Sequence, residues 1–237
     1  PRSFLYYQVV LLMPLRKKPF RFTPWQRRGL KAIIHGFALG YVAWLFLAGI
    51  TDQLGPDPVN TLINETGTWA IHFLLLTLTL SPLAKWLPSP EPIQFRRMIG
   101  VYAFVYAFAH LFTYIFFELQ LDMALVASEI VSRPYISVGM IALILLVALT
   151  ATSFKRLQRK MGRKWQTLHN SIYLVLPLAL LHFSWSQKTF WQEPVWYWLV
   201  GLLLMSPRIK RWYSTYQRKQ QGRKSTAKKG RGKENIA

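Results

Sequence analysis

Apolar residues fall in six long runs separated by short polar or basic segments. The runs are Leu30 to Ile50, Trp69 to Ala84, Ile99 to Phe117, Tyr135 to Phe154, Thr167 to Trp185, and Val195 to Met205 with its aromatic lead-in Phe190 and Trp191. A bilayer core about 30 Å thick is crossed by roughly 20 mostly apolar residues in a helix. Apart from Lys31 near its first end, no run carries an Asp, Glu, Lys or Arg in its interior. The pattern predicts an all-α, polytopic membrane bundle of six transmembrane helices. Residues 29–211 form this domain, between a basic segment at 1–28 and a polybasic tail at 212–237 that composition reads as disordered. The apolar stretch Phe4 to Leu15 is too short to span and lacks a small-residue cleavage site, so it is set apart from the fold, with Met13 a candidate start.

Composition agrees with the pattern. Of 237 residues, 52% are hydrophobic and 16% charged, well below the roughly 25% charged residues of soluble domains. Six such runs leave too little polar surface to keep the chain in water.

Charge then orients the bundle. Of the 30 Lys and Arg residues, 28 fall in the N-terminal segment, the second and fourth connections and the C-terminal tail, which share one face if six spans alternate. The opposite face receives only Arg133 and Lys188 but holds seven of nine acids: Asp52, Asp57, Glu65, Glu118, Asp122, Glu129 and Glu193. Basic residues near span ends stay on the cytoplasmic side, which predicts two cytoplasmic termini and a plasma-membrane or inner-membrane location. The net charge of +21 is thus mainly a topology signal, and the tail's cations suit anionic lipid headgroups. No folded basic module directs nucleic-acid binding, and no glycine-rich phosphate loop is present.

The chain has no cysteine, which excludes disulfides, Cys-ligated zinc, iron–sulfur clusters and thiol nucleophiles. Histidine is then the main candidate ligand, and all five histidines lie in or at the ends of predicted helices: His35, His72, His110, His169 and His182. Ionisable groups inside spans are costly and mark functional sites by default. Counted from the basic flanks, His110 (13 residues past Arg97) and His182 (18 past Lys164) belong to the outer half, as does His72, three residues into its predicted run. His35 and His169 belong to the inner half. Two imidazoles at one depth on neighbouring helices can hold a planar metal macrocycle between them. The 13-residue spacing of His169 and His182 matches two cofactor levels, although an ideal helix leaves their side chains about 140° apart. No carboxylate is expected inside the membrane, because the outer acids fall in connections.

Three stretches carry a family resemblance: FRRMIGVYAFVYAFAHLFTY around His110, SRPYISVG entering the fourth span, and KMGRKWQTLHNSIYLVLPLALLHFSW with His169 and His182. They resemble MsrQ, the haem-binding membrane subunit family of the bacterial periplasmic methionine sulfoxide reductase system, a relative of the ferric reductase-like transmembrane domain. The similarity runs from about Gly29 to Arg211. It implies a bundle around b-type haem that passes electrons from the quinone pool or a reduced flavin outward to a periplasmic molybdopterin-containing methionine sulfoxide reductase subunit. It also implies His110 and His182 as axial ligands of one haem, with His169 available for a second and His35 and His72 as weaker candidates. The wider superfamily carries two histidines on each of two helices. Here Arg97 and Arg96 stand 13 and 14 residues before His110, which leaves the fourth corner without histidine. Arg96, Arg97, Arg163 and Lys164 are candidates for haem propionates or the phosphate of FMN.

Two other classes compete with the electron-transfer subunit. One is a stand-alone ferric or oxygen reductase fed by a cytoplasmic flavin reductase. The other is a cofactor-free transporter or scaffold, which leaves the histidines without a cause.

Overall fold

The computed structural model describes residues 20–87, 89–187 and 193–234. Met13, Lys188, Phe190 and Trp191 lie outside the described residues. All regular structure among the described residues is helical.

Helix α1 (Pro24–Ile50) opens on a capping box in which Thr23 and Gln26 bond each other's backbone N–H, with Pro24 at the first helical position. Helix α2 (Pro58–Trp86) is capped by the Asp57 side chain, which accepts from the Asn60 N–H at 3.0 Å. Helix α3 (Glu91–Thr113) continues into a π-helical turn, Tyr114–Glu118, and ends where Gln120 and Leu121 adopt left-handed backbone angles. The short α4 (Met123–Ser132), capped by Asp122, leads into α5 (Pro134–Ala151). Helices α6 (Lys155–Met161) and α7 (Arg163–His169) form the basic connection to α8 (Ile172–Ser186). The last helix, α9, runs Pro194–Glu234.

Four helices are long and apolar enough to cross a membrane: α1, α2, α3 with its π-turn, and α5. The expected fifth run does not form one continuous helix. Its helix ends at His169, Asn170 and Ser171 turn, and α8 restarts at Ile172 with 15 residues. Ser and Asn side chains compete with the backbone for hydrogen bonds, which favours a break at this pair. The sixth run forms the first third of α9, and helical backbone continues through the basic segment that composition reads as disordered. Lys, Arg and Gln are good helix formers, so charge alone does not end a helix.

The second expected span also starts earlier, at Pro58 rather than near Trp69. This change in register places Glu65 two turns inside α2 and His72 fourteen residues from its start. A carboxylate therefore stands within a span-length helix, contrary to expectation. Tyr41 on α1 donates to it at 3.0 Å, supplying a partner for this half-buried acid.

The bundle is organised around two antiparallel pairs, α2 with α3 and α5 with α8, joined where α3 meets α5. Helix α1 packs on the first pair, and α9 on α8 and α2. Within lipid, helices gain little from burying apolar surface against one another, so close approach and hydrogen bonds carry more of the association. Ala38 and Ala103 are completely buried, and the Tyr106 hydroxyl donates to the Ala38 carbonyl at 2.7 Å, joining α3 to α1. Arg27 and the buried Glu91 pair at 3.0 Å near the basic end. Large apolar side chains, including Leu39, Trp44, Ile144 and Leu203, point outward.

Replacing Tyr106 by Phe removes the bond to Ala38 and keeps the ring. The expected cost is about 1 kcal/mol of stability in detergent, read as a lower thermal midpoint, with helix content unchanged by circular dichroism.

Candidate functional site

His110 and His182 face one another across a cavity of about 640 Å³ between the two helix pairs. Their ring centroids are 6.0 Å apart and their planes cross at 82°. The cavity opens toward the acidic end of the bundle, where Asp57, Glu118 and Glu129 line it, and its deeper wall is apolar, with Leu74, Leu143 and Leu146.

Each ring is tied down through its Nδ1. His110 Nδ1 lies 2.9 Å from the Ile63 carbonyl on α2, and His182 Nδ1 lies 2.7 Å from the Tyr135 carbonyl on α5. A carbonyl oxygen only accepts, so both Nδ1 atoms carry the proton and donate. In the neutral ring the lone pair is then on Nε2, the state that binds a metal ion. On the first helix of each pair, four residues after that carbonyl, a glycine stands in the path of the ring. A Cβ on Gly67 would sit 3.0 Å from His110 Nδ1, and one on Gly139 only 2.7 Å from His182 Nδ1.

These positions repeat along the chain. Carbonyl, glycine and histidine are Ile63, Gly67 and His110 in the first pair and Tyr135, Gly139 and His182 in the second, each shifted by 72 positions. The same shift sets Arg97 against His169. The two pairs are therefore equivalent at the acidic end and differ at the basic end, where one carries histidine and the other arginine.

The other three histidines are engaged elsewhere. His35 Nδ1 is hydrogen-bonded to the Tyr102 hydroxyl. His72 Nε2 lies 2.8 Å from the Tyr197 hydroxyl, with the two rings stacked. His169 Nε2 lies 3.1 Å from Thr152 Oγ1, and Trp165 stacks on its ring at 4.0 Å while donating its own N–H to the Thr152 carbonyl at 2.9 Å. The structure thus brings His110 and His182 together and gives His35, His72 and His169 separate partners. Arg97 lies over the Phe154 ring at 5.6 Å, and Arg163 and Lys164 are exposed in the first turn of α7.

The sequence did not single out the rim of the cavity. Arg133 bonds Glu129 at 2.6 Å, and the Tyr114 hydroxyl donates to the same carboxylate at 3.0 Å. Among the described residues lining the cavity, Arg133 is the one strong cation. Gly67 and Gly139 were also missed. For Gly139 the signal was an isolated glycine in an apolar run, where it costs roughly 0.5–1 kcal/mol relative to alanine; Gly67, in the polar stretch before Trp69, carried no such signal.

Two ring nitrogens are too few to hold a bare ion in a closed protein site, and no group of three or more His, Asp or Glu side chains suited to a metal ion occurs among the described residues. A planar macrocycle that brings its own equatorial nitrogens needs only two axial donors. His110 and His182 would supply those two donors.

The chain is also similar to known proteins. The family model described as "Ferric reductase like transmembrane component" matches residues 66–180, a range that includes both glycines and His110 and ends just before His182. Proteins named protein-methionine-sulfoxide reductase heme-binding subunit MsrQ match over most of their length. The Klebsiella pneumoniae (strain 342) protein is 41% identical over 192 residues, covering 81% of this chain and 96% of its own. The Salmonella enteritidis PT4 protein is 42% identical with the same coverage, and the Cronobacter sakazakii protein is 41% identical over 199 residues, covering 82% of this chain and all of its own. No solved structure matches the chain. With this level of identity sustained over about four-fifths of its length, the chain belongs to the MsrQ family.

Proposed function

We propose that this chain is the haem-carrying electron-transfer subunit of a methionine sulfoxide reductase system, with one b-type haem between His110 and His182. The observation that carries this reading is the pair of opposed imidazoles, each with Nδ1 bonded to a carbonyl and Nε2 left for iron. The relatives' printed names, which describe a heme-binding subunit, support it.

Haem supplies a one-electron carrier that cycles between ferric and ferrous iron. The protein's residues do the rest. His110 and His182 would hold the iron from two sides, an arrangement that suits electron transfer. The apolar wall around Leu74 and Leu146 keeps water from the deeper part of the cavity. Arg133 at the rim offers its guanidinium to the propionates, a role for which the cavity lining supports it over Arg96, Arg97, Arg163 and Lys164. Those four cations stay with the basic end and with a phosphate-bearing donor such as FMN.

In this reading electrons enter from the quinone pool or a reduced flavin and leave at the acidic end to a periplasmic molybdopterin-containing reductase subunit. The basic connections and both termini are cytoplasmic, and α8 with its preceding turn and the first third of α9 complete six crossings of a bacterial inner membrane. A second haem, toward the basic end, requires His169 to exchange Thr152 for iron, with His35 or a non-histidine ligand opposite.

A reduced-minus-oxidised spectrum of the purified protein, with haem counted as its pyridine complex, is the direct test. Sharp b-type bands are expected, and a colourless protein after haem-replete expression overturns the reading. His110→Ala and His182→Ala should each abolish the same haem almost completely, while His72→Ala leaves it. One fewer haem per chain in His169→Ala would assign a second site to that residue.

The absence of cysteine makes topology measurable by single substitutions. With a membrane-impermeant maleimide on spheroplasts, Ser132→Cys is expected to label, whereas Ser214→Cys labels only after the membrane is opened. The reverse pattern would invert the bundle.

A further inference from the structure

We infer that Gly67 and Gly139 are matched positioning residues that set the rotation and tautomer of the two axial imidazoles. This rests on the assignment of His110 and His182 as haem ligands.

In a helix the carbonyl of residue i−4 already accepts the N–H of residue i, and its second lone pair faces outward. The side chain of residue i ordinarily stands over that spot. At Gly67 and Gly139 no side chain is present, and in each case an imidazole from the neighbouring helix occupies the space. His110 reaches the Ile63 carbonyl at 2.9 Å and His182 reaches the Tyr135 carbonyl at 2.7 Å, each four residues before the glycine. A Cβ at Gly67 would meet His110 at 3.0 Å from Nδ1 and 3.3 Å from Cε1. At Gly139 the corresponding distances to His182 are 2.7 and 2.9 Å. Alanine at either position forces the ring out of this contact, more severely at Gly139.

The construction occurs twice at the same relative positions, on α2 with α3 and on α5 with α8, so a chance contact does not account for it. Other helical glycines lack it. Gly100 would place a Cβ 3.4 Å from Thr77 Cγ2, an ordinary contact, and Gly36 and Gly40 have open space.

Two consequences follow for the ligands. The Nδ1–H···O=C bond holds the neutral ring in the tautomer whose Nε2 binds metal and makes that nitrogen a better donor, which lowers the potential of the iron it binds. Anchoring the rings to carbonyls on different helices also sets the angle between them, 82° here. Crossed axial planes are read in the largest g value of a low-spin ferric haem, independently of any electron-transfer assay.

The test compares purified full-length wild type with Gly67→Ala, Gly139→Ala and, as a control, Gly100→Ala. Gly67→Ala and Gly139→Ala should shift the largest g value and raise the midpoint potential, with the larger effect in Gly139→Ala, while Gly100→Ala matches wild type. Unchanged g values and potential in both site variants, with haem retained, would overturn the inference. If a site variant binds no haem, ¹⁵N spectra of histidine-labelled, haem-free protein decide. Wild type should show His110 and His182 as Nδ1–H tautomers, and each alanine variant should lose this form only at its own histidine. The native tautomer pattern in both variants would overturn the inference. Loss of haem with His110→Ala and His182→Ala is measured separately, and its failure would instead remove the ligand assignment itself.

Discussion

An imidazole inside a helical bundle has almost no water to bond, so each of its nitrogens must find a partner in the protein or in a bound group. The central part of this structure follows from that constraint. Helical backbone spends its own hydrogen bonds internally, which leaves the second lone pairs of carbonyls and a few hydroxyls as the available partners. His35, His72 and His169 take hydroxyls from Tyr102, Tyr197 and Thr152. His110 and His182 take carbonyls through Nδ1 and turn toward each other. Hydroxyl partners on the first three and carbonyl partners on the last two separate packing histidines from candidate ligands.

Reaching a carbonyl on the side of an intact helix requires that helix to be bare at the point of contact. Glycine supplies the gap, at the cost of some helix stability that the α2–α3 and α5–α8 packing must offset. The packing of α1 on the first pair relies likewise on Ala38, which has no exposed surface, and on the Tyr106 bond to it. Small residues thus serve both the approach of helices to one another and the approach of a ring to a backbone. The apolar residues, by contrast, are largely spent on the outer surface, where Trp44, Ile144 and Leu203 face outward.

The two helix pairs are alike at the acidic end and unlike at the basic end. His169 in one occupies the position of Arg97 in the other. Its ring is held between Thr152 and Trp165, while Arg97 lies over Phe154.

The apolar runs, the charge asymmetry and the five histidines within those runs were legible in the sequence, because helix length and hydropathy depend on composition over about 20 residues and hardly on neighbours. The motifs around His110 and His182 also carried the family. Element boundaries were less legible: Pro58 starts α2 a full three turns before its apolar run, bringing Glu65 inside, and Asn170–Ser171 divides the fifth run. Caps and local turns made those choices. Which histidines meet was decided only by the tertiary structure. Phase along an ideal helix argued against placing His169 and His182 on one face, and no spacing rule could show Gly67 beneath His110 or Gly139 beneath His182. Those contacts join residues 43 positions apart on neighbouring helices, and only the packing of the pairs brings them within reach.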